Sequence, residues 1–177
     1  PPPEPAADEV LVRVRYASVN PVDWKIAAGK FRFLVKHGLP RIMGSDFAGV
    51  VTNIGSGVDG VGPGYRVWGF VDPFGRARGT FAEYCPVPSQ SLFALPADVD
   101  FRDAAALACV GATAVTLCDL ARVSSGSRVL VNGASGGVGH VAVQIAKARG
   151  ARVTASASGQ RREFVASLGA DDFIDYG

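Results

Sequence analysis

Apolar and polar residues alternate near the start of the chain, from Glu9 to Val19. A period of two is typical of a strand with one buried face, so this segment is predicted to form a β-strand. Apolar runs at 43–54, 65–70 and 80–87 predict further strands, because glycine and proline turn signals separate them. Several short strands with turns between them indicate a small β-rich barrel.

The pattern changes toward the middle of the chain, where apolar positions recur at helical spacing. Helices are predicted over 104–107 and 113–122, on either side of Gly111. We therefore expect two domains, a β-rich domain at residues 1–98 and a second domain at residues 99–177.

The central feature of the second domain is a β-branched run at 128–132, a glycine-rich turn and a helical pattern from Val138 onward. Gly136, Gly137 and Gly139 lack the side chains that would keep a backbone away from a pyrophosphate. The first turn of the following helix directs unpaired N–H groups and the positive end of its dipole to the same place. The segment is therefore predicted to bind the phosphates of a dinucleotide.

The segments that follow this turn support the prediction. They alternate between strand and helix patterns, with a strand at 151–156, a helix at 159–168 and a strand at 172–175. A βαβαβ order of this kind forms half of a doubly wound parallel sheet. A glycine-rich turn without a ligand is the alternative, and the context makes it the weaker one.

The end of the second strand of this unit indicates which dinucleotide binds. Sites that prefer NAD usually place a carboxylate there, about 20 residues beyond the glycines. This chain instead has Ser156 and Ser158, followed by Arg161 and Arg162, with no carboxylate to repel a 2′-phosphate. Because a guanidinium binds phosphate oxygens in a bidentate manner, NADPH is predicted. A solvated helix face is the alternative role of the two arginines.

Composition excludes several other classes of protein. Of the 177 residues, 48% are hydrophobic and 19% are charged, and the formal net charge is +2. Lys and Arg are scattered, and no apolar run is expected to approach the roughly 18 residues that span a bilayer. A globular protein is predicted, with no transmembrane segment and no nucleic-acid partner.

Cysteine and histidine positions give no sign of a metal site. Cys85, Cys109 and Cys118 form no CxxC pair, and neither His37 nor His140 has a Cys or a carboxylate at ligand spacing. We therefore expect neither a disulfide framework nor a bound metal. A reducing compartment, the cytoplasm, is the expected location.

Six segments of the chain carry a resemblance to a known family. They are SVNPVDWK at 18–25, GSDFAG at 44–49, GTFAEY at 79–84, AAAL at 104–107, the glycine-rich turn, and SLGAD at 167–171. In these segments the chain resembles the zinc-independent quinone oxidoreductase branch of the medium-chain dehydrogenase/reductases, which includes zeta-crystallin-like reductases and chloroplast-envelope homologues. The resemblance implies a GroES-like β-rich domain, a Rossmann domain that binds NADPH, and a substrate held in the cleft between them. It also makes a plastid the alternative location and a homodimer the expected assembly.

The resemblance assigns roles to residues of the glycine-rich turn. The first glycine of the family's fingerprint falls at Ala134, and the others fall at Gly136 and Gly139. The backbone of Ser135 to Val138 would face the pyrophosphate.

The resemblance also implies contacts to other parts of the cofactor and to the substrate. The position that selects NAD falls at Ser156, the basic contact to the 2′-phosphate at Arg161, and a tyrosine beside that phosphate at Tyr176. Thr113 matches a threonine beside the nicotinamide, and Asn20 matches a residue that lines the reaction cleft.

The chain departs from other branches of the family at three positions. Zinc-dependent relatives have Cys where Asn20 stands and His where Ser45 stands, so a zinc mechanism is not expected. Enoyl-thioester reductases of the same fold have a tyrosine proton donor where this chain has Phe31. That difference argues against a dedicated enoyl-thioester reductase.

The leading hypothesis is hydride transfer from NADPH to a quinone or an α,β-unsaturated carbonyl. Asn20 would contact the oxygen that gains negative charge, Thr113 would hold the nicotinamide, and water would complete the protonation. An enoyl reductase for acyl thioesters or oxylipin enones is one alternative, and a non-catalytic NADPH-binding module is another. Because a doubly wound sheet normally continues with a second half, we expect a piece of a longer enzyme with little catalysis by itself.

Overall fold

The computed structural model describes residues 1–34, 41–75 and 78–177. The chain divides into two compact units, Pro1–Cys109 and Val110–Gly177. The expected boundary at residue 98 lies shortly before a helix that crosses this division, and the domain limits stay a prediction.

The first unit is built on one antiparallel sheet. Its strands are β1 (Glu9–Tyr16), β2 (Asp46–Ile54), β3 (Arg66–Phe70), β4 (Tyr84–Pro88) and β5 (Leu92–Ala94). They are arranged in the order β4-β1-β2-β3-β5. The core is formed where alternate side chains of neighbouring strands meet, as Val10 and Val12 of β1 do with Phe47 and Val51 of β2. A short helix, α1 (Pro21–Ala27), follows β1.

The helix α2 (Phe101–Leu120) is continuous over 20 residues. The predicted break at Gly111 is therefore wrong. A single glycine in a helix interior costs only about 1 kcal/mol relative to alanine, and the surrounding residues are mostly alanine and other helix formers. The helix ends before Arg122, whose φ of 51° lies in the left-handed region.

By length and composition, α2 is also the one helix in the described part of the chain that could cross a membrane, with a mean hydropathy of 1.5. The expectation that no apolar run approaches bilayer length has this exception. However, Ala104 and Ala105 of α2 pack in a buried cluster with Ala48 and Leu95. Packing of this kind is typical of a helix that covers a protein core.

The second unit is a small α/β sandwich. Its elements are β6 (Arg128–Asn132), α3 (Gly137–Ala148), β7 (Arg152–Ala157), α4 (Arg162–Ser167) and β8 (Asp172–Asp175). The strands are parallel in the order β6-β7-β8. The predicted βαβαβ unit and the predicted fold class, a GroES-like β-rich domain followed by a Rossmann-type sheet, are confirmed.

Ion pairs join α3, β7 and β8 at the amino ends of the strands. The carboxylate of Asp171 accepts hydrogen bonds from Nζ of Lys147 at 2.8 Å and from the N–H of Val153 at 2.7 Å. Arg152 pairs with Asp172 at 3.0 Å. These contacts stabilise the register of two strands whose carboxyl ends adjoin the candidate site.

Candidate dinucleotide-binding site

The turn between β6 and α3 depends on two glycines. Gly133 has a φ of +69°, which favours glycine, and its carbonyl oxygen accepts the N–H of Gly136 at 2.9 Å. A Cβ on Gly139 would overlap that carbonyl oxygen and would stand 2.8 Å from the Cα of Ala134. Gly133 was not among the residues expected here, although a glycine directly after a predicted strand was a usable signal.

The first turn of α3 presents free backbone donors. Gly136 is the N-cap residue and has no side chain that could cap the helix, and the N–H of His140 donates to its carbonyl oxygen at 3.0 Å. The N–H groups of Gly137, Val138 and Gly139 therefore have no carbonyl one turn earlier to bind. Together with the positive end of the helix dipole, these three donors suit an anion.

The turn is tied to the neighbouring strand through Ala134 and Ser156. The N–H of Ala134 donates to the carbonyl oxygen of Ser156 at 2.9 Å, and both residues are buried. Ala134 therefore has no free donor, and its contact with β7 holds the turn in place. Ser135 is half-buried beside it.

The two arginines after β7 have different surroundings. Arg161 is exposed, its N–H donates to the carbonyl oxygen of Ser158 at 2.8 Å, and its guanidinium joins none of the ion pairs among the described residues. The guanidinium of Arg162 instead lies 5.3 Å from the ring centroid of Phe173. Of the two, Arg161 remains available to a ligand.

The strand β8 brings a carboxylate to the same place. Asp175 is the register partner of Ala157, and a Cβ on Gly159 would come within 2.5 Å of its carboxylate oxygen. The expectation that no carboxylate lies here is therefore wrong, since it considered only the end of β7. Parallel pairing sets the end of β8 beside that of β7. Tyr176 follows Asp175 and is 61% exposed.

An open groove of about 490 Å³ borders the turn. Its lining includes Leu117 of α2, Val129 and Val131 of β6, and the glycines of the turn. β6 is an outer strand of its sheet, and Leu130 on it is 61% exposed.

The first unit contains a separate group of buried polar side chains around the start of α1. The N–H of Asn20 donates to the carboxylate of Asp23 at 2.7 Å, and the N–H of Asp23 donates back to the carbonyl oxygen of Asn20 at 3.0 Å. Nδ2 of Asn20 donates to Oδ2 of Asp46 at 2.8 Å, and the hydroxyl of Ser18 donates to the same oxygen at 2.5 Å. Asn20, which was expected to contact the substrate, is only 8% exposed, and its side chain is held by the carboxylate of Asp46.

Burial raises the pKa of Asp46, and the negative charge of Asp23 raises it further. Hydrogen bonds from Ser18 and Asn20, together with the peptide group of Cys109, act in the opposite direction because they favour the ionised form. Desolvation is the largest of these effects. Asp46 is therefore a carboxyl group that binds its proton more tightly than an exposed aspartate.

The remaining candidates occupy different places. Thr113 is exposed on α2 in the second unit. The hydroxyl of Ser45 is buried, and the ring of Phe31 packs edge-to-face on Phe74 at 5.6 Å. His37 lies outside the described residues. Among the residues that are described, no group of three or more His, Cys, Asp or Glu side chains could hold a metal ion.

Comparisons with known proteins agree with this architecture. Residues 6–97, more than half of the chain, match the family described as Alcohol dehydrogenase GroES-like domain, and residues 137–177 match the family described as Zinc-binding dehydrogenase. The quinone-oxidoreductase homolog of spinach chloroplasts (Spinacia oleracea) is 38% identical over 98% of this chain and 54% of its own length. The chloroplastic NADPH-dependent alkenal/one oxidoreductase of Arabidopsis thaliana is 39% identical over 98% of this chain and 46% of its own length.

A solved structure shows the same fold. The quinone oxidoreductase of Coxiella burnetii superposes with a TM-score of 0.92 at 35% identity, covering 99% of this chain and 56% of that one. The chain thus spans about half the length of the relatives it matches. The fold, the two family matches and the quinone oxidoreductase homologues agree that the chain belongs to the medium-chain dehydrogenase/reductase superfamily.

Proposed function

We propose that the whole protein is a zinc-independent oxidoreductase that uses NADPH to reduce a quinone or an α,β-unsaturated carbonyl compound. NADPH supplies the hydride when it is bound. The relatives named above are a quinone oxidoreductase homologue, a quinone oxidoreductase and an NADPH-dependent alkenal/one oxidoreductase, and these names support both substrate classes.

The observation that carries the proposal is the pairing of the anion-binding turn with Arg161. The N–H groups of Gly137, Val138 and Gly139 fit a pyrophosphate. Gly139 packs so closely against the turn that any side chain there would push the helix and the turn apart. Ser156, Ser158 and Arg161 stand at the end of β7, where the ribose of a dinucleotide is held in this fold.

The preference for NADPH depends on a balance of charge at that end. The exposed guanidinium of Arg161 can bind two oxygens of a 2′-phosphate, whereas the carboxylate of Asp175 would repel that phosphate. The hydrogen bond from the N–H of Gly177 to Oδ1 of Asp175, 3.0 Å long, partly satisfies that carboxylate. Tyr176, exposed beside it, can flank the same phosphate. We therefore expect NADPH to be preferred but NADH to be bound as well.

On the substrate side, Asn20 and Thr113 keep the roles that the family resemblance implies. Asn20 is oriented by Asp46, so its amide would be preorganised toward the oxygen that gains negative charge. The amide of Asn20 and the hydroxyl of Ser45 are poor zinc ligands compared with the Cys and His of zinc-dependent relatives, which supports a zinc-independent reaction.

The test has a binding step and a turnover step. The protein is titrated with NADPH and with NADH by nicotinamide fluorescence, and then a quinone, an α,β-unsaturated ketone or an enoyl thioester is added. We expect NADPH to bind and to be oxidised by a quinone or the ketone. Failure to bind would refute the proposal, binding without oxidation would indicate a binding module, and oxidation by the thioester alone would indicate an enoyl reductase.

The names of the same relatives also bear on the location of the protein. Chloroplastic relatives support a plastid as the alternative to the cytoplasm. A homodimer is proposed for the whole protein, and sedimentation of the purified protein tests it.

A further inference from the structure

The polar cluster of the first unit contains an acid, Asp46, that has no role in the hydride transfer itself. We propose that Ser18 and Asp46 form a proton relay, in which the hydroxyl of Ser18 protonates the oxygen of the reduced substrate and Asp46 returns a proton to Ser18. This inference rests on the proposed reductase function. Ser18 is the catalytic residue of the relay, and Asp46 is a positioning residue that acts through it.

The geometry gives Asp46 a single-step connection to the surface. Asp46 is fully buried at the start of β2, whereas Ser18 is only half-buried. Their side chains share a hydrogen bond of 2.5 Å between Oγ of Ser18 and Oδ2 of Asp46. Asn20, the other side chain on that oxygen, is 8% exposed and has no hydroxyl proton to exchange. Ser18 is therefore the side chain that can move a proton outward.

The surroundings of Asp46 raise its pKa on balance, with burial as the largest cause. The titratable group that faces it is Asp23 of α1, whose charge disfavours a second carboxylate nearby. Hydrogen bonds from Ser18, Asn20 and the peptide of Cys109 in α2 act in the opposite direction. These donors carry no charge, and Asp46 joins none of the ion pairs among the described residues. Burial therefore raises the pKa of Asp46 without a cation to reverse the effect.

The relay balances as one proton transfer per hydride. The hydride brings two electrons to the carbon of the enone or to the quinone, and negative charge develops on the substrate oxygen. The O–H bond of Ser18 breaks as a new O–H bond forms on that oxygen, and the carboxyl O–H of Asp46 breaks as the hydroxyl of Ser18 is restored. Asp46 is left as a carboxylate and takes its next proton from water.

The relay supplies a proton that the side chains of Phe31 and Asn20 do not. Phe31 has no hydroxyl, and Asn20 is not an acid. General acid catalysis typically contributes about 100-fold or more to a rate, so a protonation left to bulk water would be slow.

The test compares four variants of the whole protein, with an α,β-unsaturated ketone as substrate. Ser18→Ala and Asp46→Asn break the relay, and Ser18→Thr keeps a hydroxyl at the same place. Thr80→Val is the matched control, because Thr80 is a buried residue whose hydroxyl makes no hydrogen bond among the described residues. The readouts are the pH profile of kcat/KM, the solvent deuterium isotope effect and the dissociation constant of NADPH.

For the unchanged protein we expect kcat/KM to fall as pH rises through the pKa of Asp46. Ser18→Ala and Asp46→Asn should lower kcat/KM by about 100-fold and remove this fall and the isotope effect, with NADPH binding unchanged. Ser18→Thr should restore both, and Thr80→Val should leave them as they were. A Ser18→Ala variant that keeps the pH profile and the isotope effect would overturn the relay, even if Asp46→Asn fails to fold. An unchanged protein that never oxidises NADPH would instead overturn the proposed function.

Discussion

The two units hold their candidate functional groups by opposite means. In the second unit the groups are backbone N–H donors of α3, and the site exists because Gly133 and Gly139 carry no side chain. In the first unit the groups are the side chains of Ser18, Asn20 and Asp46, joined by hydrogen bonds across as many as 28 positions of sequence. A backbone site is therefore sensitive to added atoms, whereas a buried side-chain site is sensitive to charge and pH.

The largest effect is expected from Gly139→Ala. The new Cβ would overlap the carbonyl oxygen of Gly133, and relief of that overlap would move the turn and its donors. Overpacking of this kind costs about 1–3 kcal/mol of stability, and we expect the affinity for NADPH to fall by about 100-fold. Chemical denaturation and fluorescence titration measure the two effects.

Gly137→Ala is the matched control for this substitution. A Cβ there would meet only a side-chain carbon of Val110, at 3.4 Å. Its effect on stability should be much smaller than that of Gly139→Ala. Equal effects of the two substitutions would contradict the distinction between a tightly packed glycine and an exposed one.

The next effect concerns cofactor choice. Arg161→Ala should weaken the binding of NADPH by about 1.5–3 kcal/mol, because a charged hydrogen bond to the 2′-phosphate is lost. The binding of NADH should weaken far less. Asp175→Asn should act in the opposite direction and increase the affinity for NADPH relative to that for NADH. Titrations with both cofactors measure the change, with Arg162→Ala as the control because that guanidinium lies against Phe173. Equal weakening of the two cofactors by Arg161→Ala would argue against the phosphate contact.

A smaller effect is expected in the first unit, where charge matters more than shape. Burial raises the pKa of Asp46 above its ordinary value, so the folded protein binds that proton more tightly than the unfolded chain. The stability that Asp46 contributes is present at low pH and is lost as pH rises through the raised pKa. Asp46→Asn should remove this part of the pH dependence, which urea unfolding at a series of pH values measures. An unchanged slope would show that the pKa of Asp46 is the same in the folded protein and in the unfolded chain.

The smallest effect is expected at Asp171, which is more accessible. Lys147 and the N–H of Val153 lower the pKa of this carboxyl group. Its contribution to stability is therefore present above the ordinary aspartate pKa and is lost as pH falls through the lowered value. Asp171→Asn should destabilise the second unit slightly at neutral pH and not at all at acid pH, as urea unfolding at both values can verify. Because this is a surface contact, added salt should reduce the difference.

Much of the fold was predictable because its signals are local. The parallel strands, α3 and the glycine-rich turn each follow from spacing within a few residues. α2 was not predicted as one helix, because a glycine such as Gly111 is a local signal for a break. The helix formers on both sides of Gly111 outweigh that signal in the structure. The strand β5 is only three residues long and has no period of its own to detect.

The sequence by itself determined the family and the glycine-rich turn, and it predicted Arg161 as the residue that selects NADPH, because each depends on residues close together in the chain. Only the tertiary structure decided what lies beside them. The pairing of β8 with β7 placed Asp175 against Gly159, and the folding of the first unit brought Asp46 to Ser18 and Asn20. Strand pairing and burial set these contacts, and with them the electrostatic balance at both sites. Neither has a period or a spacing that can be seen along the chain.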